Sequence, residues 1–334
     1  MVAKWSVICG ARGVCFFKQK TAYEMLRSLV GSEMCIRDRV YSDEQISALT
    51  AYGASNHPVH LKIDTGMRRV GAAEHQAVGL ADTIAASPAV QLEGVFTHLA
   101  VADEPENPFT DHQLDRFDVV LASLAAAGHH PQLVHAANSA GALAHPRSRY
   151  DMVRAGIVVY GISPGAGVDH LCTDLRPALS LHARVSHVKR LAAGEGISYG
   201  LRHTFERDTT VATLPLGYAD GVPRRLHAVG GTVLVRGHRR LIVGVVTMDQ
   251  MMVDCGDDHV LPGDEAVLIG SQRGHTITAA EWADALDTIA YAIVSGVSAR
   301  VERRRVCILY TSAAADDLTW SHSRGSPLLK HTES

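Results

Sequence analysis

The 334-residue chain has no apolar run long enough to cross a bilayer, which excludes a helical membrane span. It has no excess of either charge: 32 Lys and Arg stand against 35 Asp and Glu, a formal net charge of −3. A slightly acidic chain of this kind carries no nucleic-acid footprint. Cysteine is thin where it would build structure. Cys9, Cys15 and Cys35 crowd the start and Cys307 lies near the end, leaving Cys172 and Cys255 in the body. No metal-ligand spacing is formed, so reduced thiols in a cytosol are expected. No small-residue cleavage site follows MVAKWSVICGARGVCFF, and no secretory signal is read there.

What is present is enough chain for two domains and a sizeable core. Residues 1–39 lack the strand–helix rhythm that begins at Val40. Their CFFKQKTAYEMLRSLVGSEMCIRDR resembles translated sequencing-adapter DNA and is read as a non-native leader. A genuine helical leader, with Thr21–Val30 as a short helix, is the alternative. Residues 307–334 are polar and unpatterned, begin with another adapter-like string, and read as a disordered tail.

From Val40 the pattern is regular. SDEQISALTAYG predicts a helix with Ser42 as N-cap and Gly53 as its stop. Val59–Ile63 predicts a strand ending in the turn Asp64-Thr65-Gly66. Ala72–Ala86 has helical spacing, and Leu92–Thr97 is the next strand, ending at His98. Thr110 and Gln113 have the spacing of a capping box. The helix they would open has an apolar face of Leu114, Phe117, Leu121 and Leu124 and stops at Gly128. Leu133–Ala136 is a third strand, followed by the Asn138-Ser139 turn and a short helix. Met152–Arg154 is expected to begin a fourth strand.

Alternating short apolar strands and helices predict a parallel sheet covered by helices. Lys62, Asp64, His98, Asn138, Ser139 and Arg154 fall where strands end. That is where a β/α barrel or an open α/β sheet carries its chemistry. After Pro164 the pattern changes to Ala178–Leu191, Thr209–Leu216, Gly231–Val235, Arg240–Val246, Met251–Cys255 and Glu265–Ile269. These alternate or run apolar between Gly, Asp and Pro turns, and predict an all-β second domain. Ile277–Leu286 is a helix with Thr278 near its start. The Thr209–Leu216 strand breaks into Gly217-Tyr218-Ala219-Asp220-Gly221, which on its own also reads as a β-turn with a surface tyrosine.

Four separated motifs occur in one order: HLKIDTGMRRVG (His60–Gly71), EGVFTHLAVADE (Glu93–Glu104), VHAANSAGAL with MVRAGIVVYG (Val134–Leu143 and Met152–Gly161), and LPLGYADG with VGVVTMDQ (Leu214–Gly221 and Val243–Gln250). Together they resemble alanine racemase, the pyridoxal-phosphate enzyme of fold type III, over about Val40–Val306. The resemblance implies α/β plus β architecture: a partial (β/α) barrel at 40–170, lacking its first strands, then a mainly-β domain at 171–306. It implies interconversion of L- and D-alanine for peptidoglycan precursors in a bacterial cytoplasm. It also implies a homodimer whose active sites are shared between one subunit's barrel and the other's β-domain.

The site residues are implied by the same resemblance. Pyridoxal 5′-phosphate makes the α-proton acidic, and two bases on opposite faces exchange it. Tyr218 resembles one base; a phenol ordinarily titrates near ~10 and needs a cationic neighbour to act near neutrality. His98 resembles the histidine that contacts that tyrosine or flanks the ring, although a histidine at a strand end is also commonly structural. Arg154 resembles the arginine facing the pyridine nitrogen. Ser139 with the amides of Gly156 and Ile157 resembles the phosphate cup, and His135 and Asn138 share its motif. Lys62 and Arg69 resemble a carbamylated lysine and the arginine it orients for the substrate carboxylate; Lys62 could also be a solubilising edge charge. Met248 and Asp249 resemble partner-subunit residues near the substrate, with Met248 alternatively a core residue.

The chain also departs from the family. The family's first strand carries the internal-aldimine lysine in a VKANAYGHG-like motif. KQKTAYE (Lys18–Glu24) is the nearest string, but neither Lys18 nor Lys20 stands four before Tyr23. Ala299 replaces a frequent tyrosine and Glu302 a usual proline. Val245 and Thr247 replace a common arginine and cysteine, and Arg68 a common glycine. About four β/α units are present where a closed barrel needs eight, so raw sheet edges and an exposed apolar interior are expected. This chain is therefore expected to have little racemase activity. A non-catalytic remnant or dimerisation module, and a relative acting on another amino acid, are the alternatives.

Overall fold

A computed structural model describes residues 39–304; the leader through residue 38 and the tail from residue 305 lie outside the described residues. Residues 39–300 fall in one compact unit. Its first half is a four-stranded parallel sheet in the order β1 (Arg39–Val40), β2 (His57–Lys62), β3 (Val90–Phe96), β4 (Leu133–His135). Arg39 pairs with His60, so the sheet begins one residue before the expected boundary.

Between the strands run α1 (Asp43–Ala51), α2 (Ala77–Ala86) and α3 (Phe109–Ala126). In α2 the buried positions Ala77, Leu80, Ala81 and Ile84 recur at helical spacing. Leu114, Phe117 and Leu124 of α3 are fully buried, while Leu121 lies at the margin of the core. Side chains alternate across a strand. Val59 and Leu61 of β2 join this helix-side core, and His60 and Lys62 take the opposite face.

Two cap expectations fail in instructive ways. Ser42 occupies the N-cap of α1, but its side chain accepts no backbone bond there. The Thr110–Gln113 box does not form, because α3 begins two residues earlier with Pro108 at the N-cap. Thr110 thus falls inside the first turn and Gln113 is freed to point at the sheet. The fourth expected strand also fails. Residues 151–154 run beside β4, with Asp151 N–H donating to Val134 O and Arg154 N–H to Ala137 O. The Asp151 carboxylate takes the Val134 amide, so no ladder can form. A 3₁₀ turn, Ile157–Tyr160, comes next. Asn138 caps the short α4 (Ser139–Ala144) as expected, accepting from Gly141 N–H.

The second half is antiparallel. β5 (Leu181–Arg184), β6 (His187–Leu191), β9 (Thr209–Leu214), β10 (Thr232–Val235), β11 (His238–Val243), β12 (Met251–Gly256), β13 (Glu265–Gln272) and β14 (His275–Ile277) form an eight-stranded sheet. β7 (Gly196–Ile197) and β8 (His203–Thr204) form a small ribbon. The single strand expected over Ala178–Leu191 is two strands, because β5 pairs with β13 and β6 with β9. Helices α5 (Ala279–Ala285), capped by Thr278, and α6 (Ala290–Gly296) close this half. Among the described residues no helix is long and apolar enough to cross a membrane.

Candidate functional site

Register places two of the sequence-predicted residues, Lys62 and His135, in one row. Lys62 pairs with Phe96 and Phe96 with His135, so the three share one position across β2, β3 and β4. One step back, His60 pairs with Gly94 and Gly94 with Leu133. The face away from the helices is therefore not the exposed apolar interior expected. It carries His60, Lys62 and His135, all buried. The Phe96 ring stacks on His135 at 4.7 Å, with Lys62 Nζ 5.8 Å and the Arg154 guanidinium 5.1 Å from its centre.

Arg154 is the hub. Its Nη1 donates to His135 Nδ1 at 2.6 Å. Its Nη2 donates to Thr97 O at 2.8 Å, Ala136 O at 2.9 Å and His98 Nδ1 at 3.2 Å. His135 Nε2 meets His60 Nδ1 at 2.9 Å, and His60 Nε2 meets Glu93 Oε2 at 3.0 Å. Burial, then the Arg154, Lys62 and Arg69 charges, push His98 down to about 3. Burial, Arg154 and His60 push His135 down to about 2. Both imidazoles are neutral at pH 7 and able to accept from the guanidinium.

Lys62 is held down to about 8 by burial and by Arg39, Arg69 and Arg154, against a smaller pull from Asp64. Its neighbour Arg69 is exposed. The loop carrying Arg69 returns onto the end of β2, where Asp64 N–H donates to Ala72 O and Ala72 N–H to Lys62 O. Asp64 Oδ1 accepts from Gly66 and Arg68 N–H, making the expected turn. Arg68 lies in the left-handed region, φ 57°. The resemblance expects a glycine there.

Ser139 Oγ accepts from Gly156 N–H at 2.8 Å. The first helical bond of the next turn is Val159 N–H to Gly156 O, so the Ile157 and Val158 amides precede it. Asn138 is engaged twice, capping α4 and donating to Leu99 O. Gln113, read as a cap in the sequence, instead ties three loops. Its Oε1 accepts from Ala100 N–H, and its Nε2 donates to His98 O and Thr65 Oγ1.

Tyr218 lies on a separate rim. The GYADG turn docks on the Thr247–Asp249 turn: Tyr218 N–H donates to Thr247 O and Ala219 N–H to Met248 O. A Cβ on Gly217 would lie 2.2 Å from Thr247 O, so only glycine permits that approach. Asp220 is buried, accepts from Gly217 N–H and pairs with Arg300. Tyr218 is 42% exposed and Met248 55%, which removes the reading of Met248 as core. Among the described residues no hydrogen bond or ring contact joins this rim to the Arg154 cluster.

The site residues that sequence reasoning missed are His60, Glu93, Phe96 and Gln113. His60 and Phe96 were recoverable from alternation, since each shares a strand face with a residue already singled out. Glu93 was not, because its place depends on a register shift between β2 and β3.

Comparison with known proteins gives one family. The N-terminal domain family of alanine racemase matches residues 32–164 and its C-terminal domain family residues 178–305. The chain is 54% identical to an alanine racemase of Symbiobacterium thermophilum over 73% of this chain and 65% of that one. It is 47% identical to one of Thermobifida fusca over 76% and 67%. The fold matches the crystal structure of alanine racemase from D-cycloserine-producing Streptomyces lavendulae with TM-score 0.72 and 41% identity, covering 79% and 70%. It matches the Bacillus anthracis enzyme with bound L-Ala-P with TM-score 0.74 and 39% identity, covering 79% and 68%. The chain thus spans just under two thirds of the length of the Symbiobacterium relative.

Proposed function

Since the chain belongs to the alanine racemase family, we propose that it carries a pyridoxal-phosphate site for alanine, shared between two copies, with little turnover of its own. The observation that carries this reading is the Arg154 cluster, a guanidinium held by neutral acceptors at the carboxyl end of a parallel sheet. The donor set fits the cofactor. Arg154 offers N–H groups and no proton-accepting atom to a pyridine nitrogen. Ser139 and the amides of Gly156 and Ile157 offer donors to a phosphate. His135 supports these groups from beneath by accepting from Arg154, and Asn138 by capping α4.

When bound, pyridoxal phosphate acidifies the proton on the amino-acid α-carbon. The chain's residues act around it. Lys62, whose depressed titration leaves it partly neutral near pH 8, suits carbamylation, and the new anion would orient Arg69 toward a carboxylate. His98 presents a ring nitrogen beside Arg154 toward the partner's phenol. Tyr218 would hold or give up a proton from the second copy, with Met248 and Asp249 at the entry. The cofactor region is residues 40–170 and the β-domain 171–306, in a bacterial cytoplasm.

Low turnover is proposed because the lysines among the described residues are Lys62 and Lys189. Lys62 already has a role, and Lys189 lies exposed on β6. A racemisation assay with added pyridoxal phosphate tests this. Weak or absent turnover is expected, with saturable cofactor absorption. Turnover near that of a full-length relative would refute low activity, and no cofactor binding would refute the site. A ¹³C-bicarbonate spectrum with a carbamate signal lost in Lys62→Met tests the lysine.

A further inference from the structure

We infer that Glu93 is a positioning residue for Arg154: through His60 and His135 it fixes the proton arrangement that makes the guanidinium a hydrogen-bond donor at the sheet end. The inference rests on the proposed cofactor site for its purpose, and on the distances alone for its geometry.

The direction of the relay is set by what each group can do. A guanidinium has only donors, so His135 Nδ1, 2.6 Å from Arg154 Nη1, must present a lone pair. Neutral His135 then carries its proton on Nε2. That proton points at His60 Nδ1, 2.9 Å away, which must also be a lone pair. The His60 proton is therefore on Nε2, facing the Glu93 carboxylate at 3.0 Å, an acceptor needing no proton. One assignment satisfies every link. Reversing His135 aims an N–H at the guanidinium, and reversing His60 sets two N–H groups against each other and leaves Glu93 facing a lone pair. Tautomers are assigned from such networks, and this one leaves a single neutral solution.

Two features of the fold build the relay. The register moves from Val59–Leu92 to His60–Gly94, so Glu93 is the extra residue at an irregularity. Irregularities of this kind re-aim a side chain and recur beside functional sites. Here one explains how Glu93, next in sequence to inward-facing Gly94, also reaches the inward-facing His60. Gly94 supplies the space, since a Cβ there would lie 2.4 Å from His60 Nδ1. The relay runs from a carboxylate 40% exposed at one end through imidazoles that are nearly inaccessible. Glu93 stands at the far end of this relay, two rings from Arg154.

Long-range ¹H–¹⁵N correlation spectra of the full chain at pH 7 test this. His60→Asn and His135→Asn serve only to assign signals. In the wild type both rings are expected as Nε2–H tautomers. Glu93→Gln keeps an acceptor and should preserve both. Glu93→Leu should release His60 into mixed tautomers and shift His135 with it. An Nδ1–H form of wild-type His135 would overturn the relay, as would Glu93→Leu spectra matching wild type. Should Glu93→Leu not fold, loss of the Nε2–H form of His60 in Glu93→Gln overturns it, and retention supports it. In pyridoxal phosphate titrations, Glu93→Leu should weaken binding about fivefold and Glu93→Gln less than twofold; equal binding by all three overturns the positioning role. If the wild type binds no cofactor while the tautomers hold, the relay stands and the racemase reading alone fails.

Discussion

Gly94→Ala probes a contact beneath the relay that leaves no room for a Cβ. The added Cβ would lie 2.4 Å from His60 Nδ1, 2.6 Å from His60 Cε1 and 2.9 Å from Leu133 O. The Gly94 backbone is ordinary, so alanine meets no conformational barrier, and the strand itself would gain slightly from it. The cost is steric. The ring must retreat by about 1 Å to reach normal contact, which breaks its 2.9 Å bond to His135. Overpacking costs about 1–3 kcal/mol. Leaving buried ring nitrogens unpaired adds about 1–3 kcal/mol. A loss of about 2–6 kcal/mol is a large part of a typical domain's stability and should lower the urea midpoint with little change in slope. The double variant His60→Ala/Gly94→Ala isolates the cause. Removing the ring should make it at least about 1 kcal/mol more stable than the two single effects sum to, while the Leu133 carbonyl contact prevents full rescue. A Gly94→Ala protein within about 0.5 kcal/mol of wild type, or strictly additive effects, would refute the reasoning.

Three further expectations concern single positions. Arg68→Gly relieves a left-handed backbone that costs a side-chain-bearing residue about 1–2 kcal/mol, partly offset by glycine's greater unfolded freedom, so a thermal melt should show a gain of about 0.5–1 kcal/mol. In bicarbonate-free buffer, where Lys62 is a free amine, Lys62→Met should stabilise the protein at pH 7, because the fold disfavours the ammonium while the unfolded chain keeps it. That penalty is full below about pH 8 and fades as pH rises toward 10.5; at ~1.4 kcal/mol per pH unit it is about 3 kcal/mol, so the urea midpoint should rise between pH 7 and 10 in wild type and stay level in the variant. Asp220→Ala strips the acceptor from Gly217 N–H and the partner from Arg300, costing about 2 kcal/mol in denaturation and speeding exchange of the Gly217 amide.

Much of the sheet was readable because its strands are short apolar runs ending in Lys62, His98 and His135, and alternation gives each a face. The failures share one physical origin: a locally patterned segment was satisfied by a non-local partner. Thr110 and Gln113 have the spacing of a cap, yet the Gln113 amide is better used tying the His98 and Thr65 loops. Met-Val-Arg at 152–154 reads as a strand, but Asp151 takes the ladder's first donor. Glu93 sits in a motif whose resemblance drew attention to His98, while its own partner is 33 residues back in the chain. The Arg68 departure was visible as a missing glycine. Its consequence required the backbone angle.

The charge distribution bears on how the proposed site could work at all. Arg69, Arg154 and Lys62 gather at the parallel strand ends, with Asp64 at the rim and Glu93 behind two imidazoles. Such a cluster suits an anionic ligand. Tyr218 stands on the other rim, where Arg300, one cation beside its turn, is paired with Asp220. A phenol that is to exchange protons near neutrality needs a cation close by. Among the described residues no hydrogen bond or ring contact joins the two rims. Two copies laid rim to strand end would bring the phenol to the His98–Arg154 pair. On this reasoning catalytic competence and self-association are one property. Sedimentation should show a dimer at micromolar concentration, and mixing a Tyr218→Phe chain with an Arg154→Lys chain should give one intact site per mixed dimer, about a quarter of all sites after free exchange, read as residual α-proton exchange of alanine that neither variant shows alone. A monomer that binds both ligands at full occupancy would break the argument.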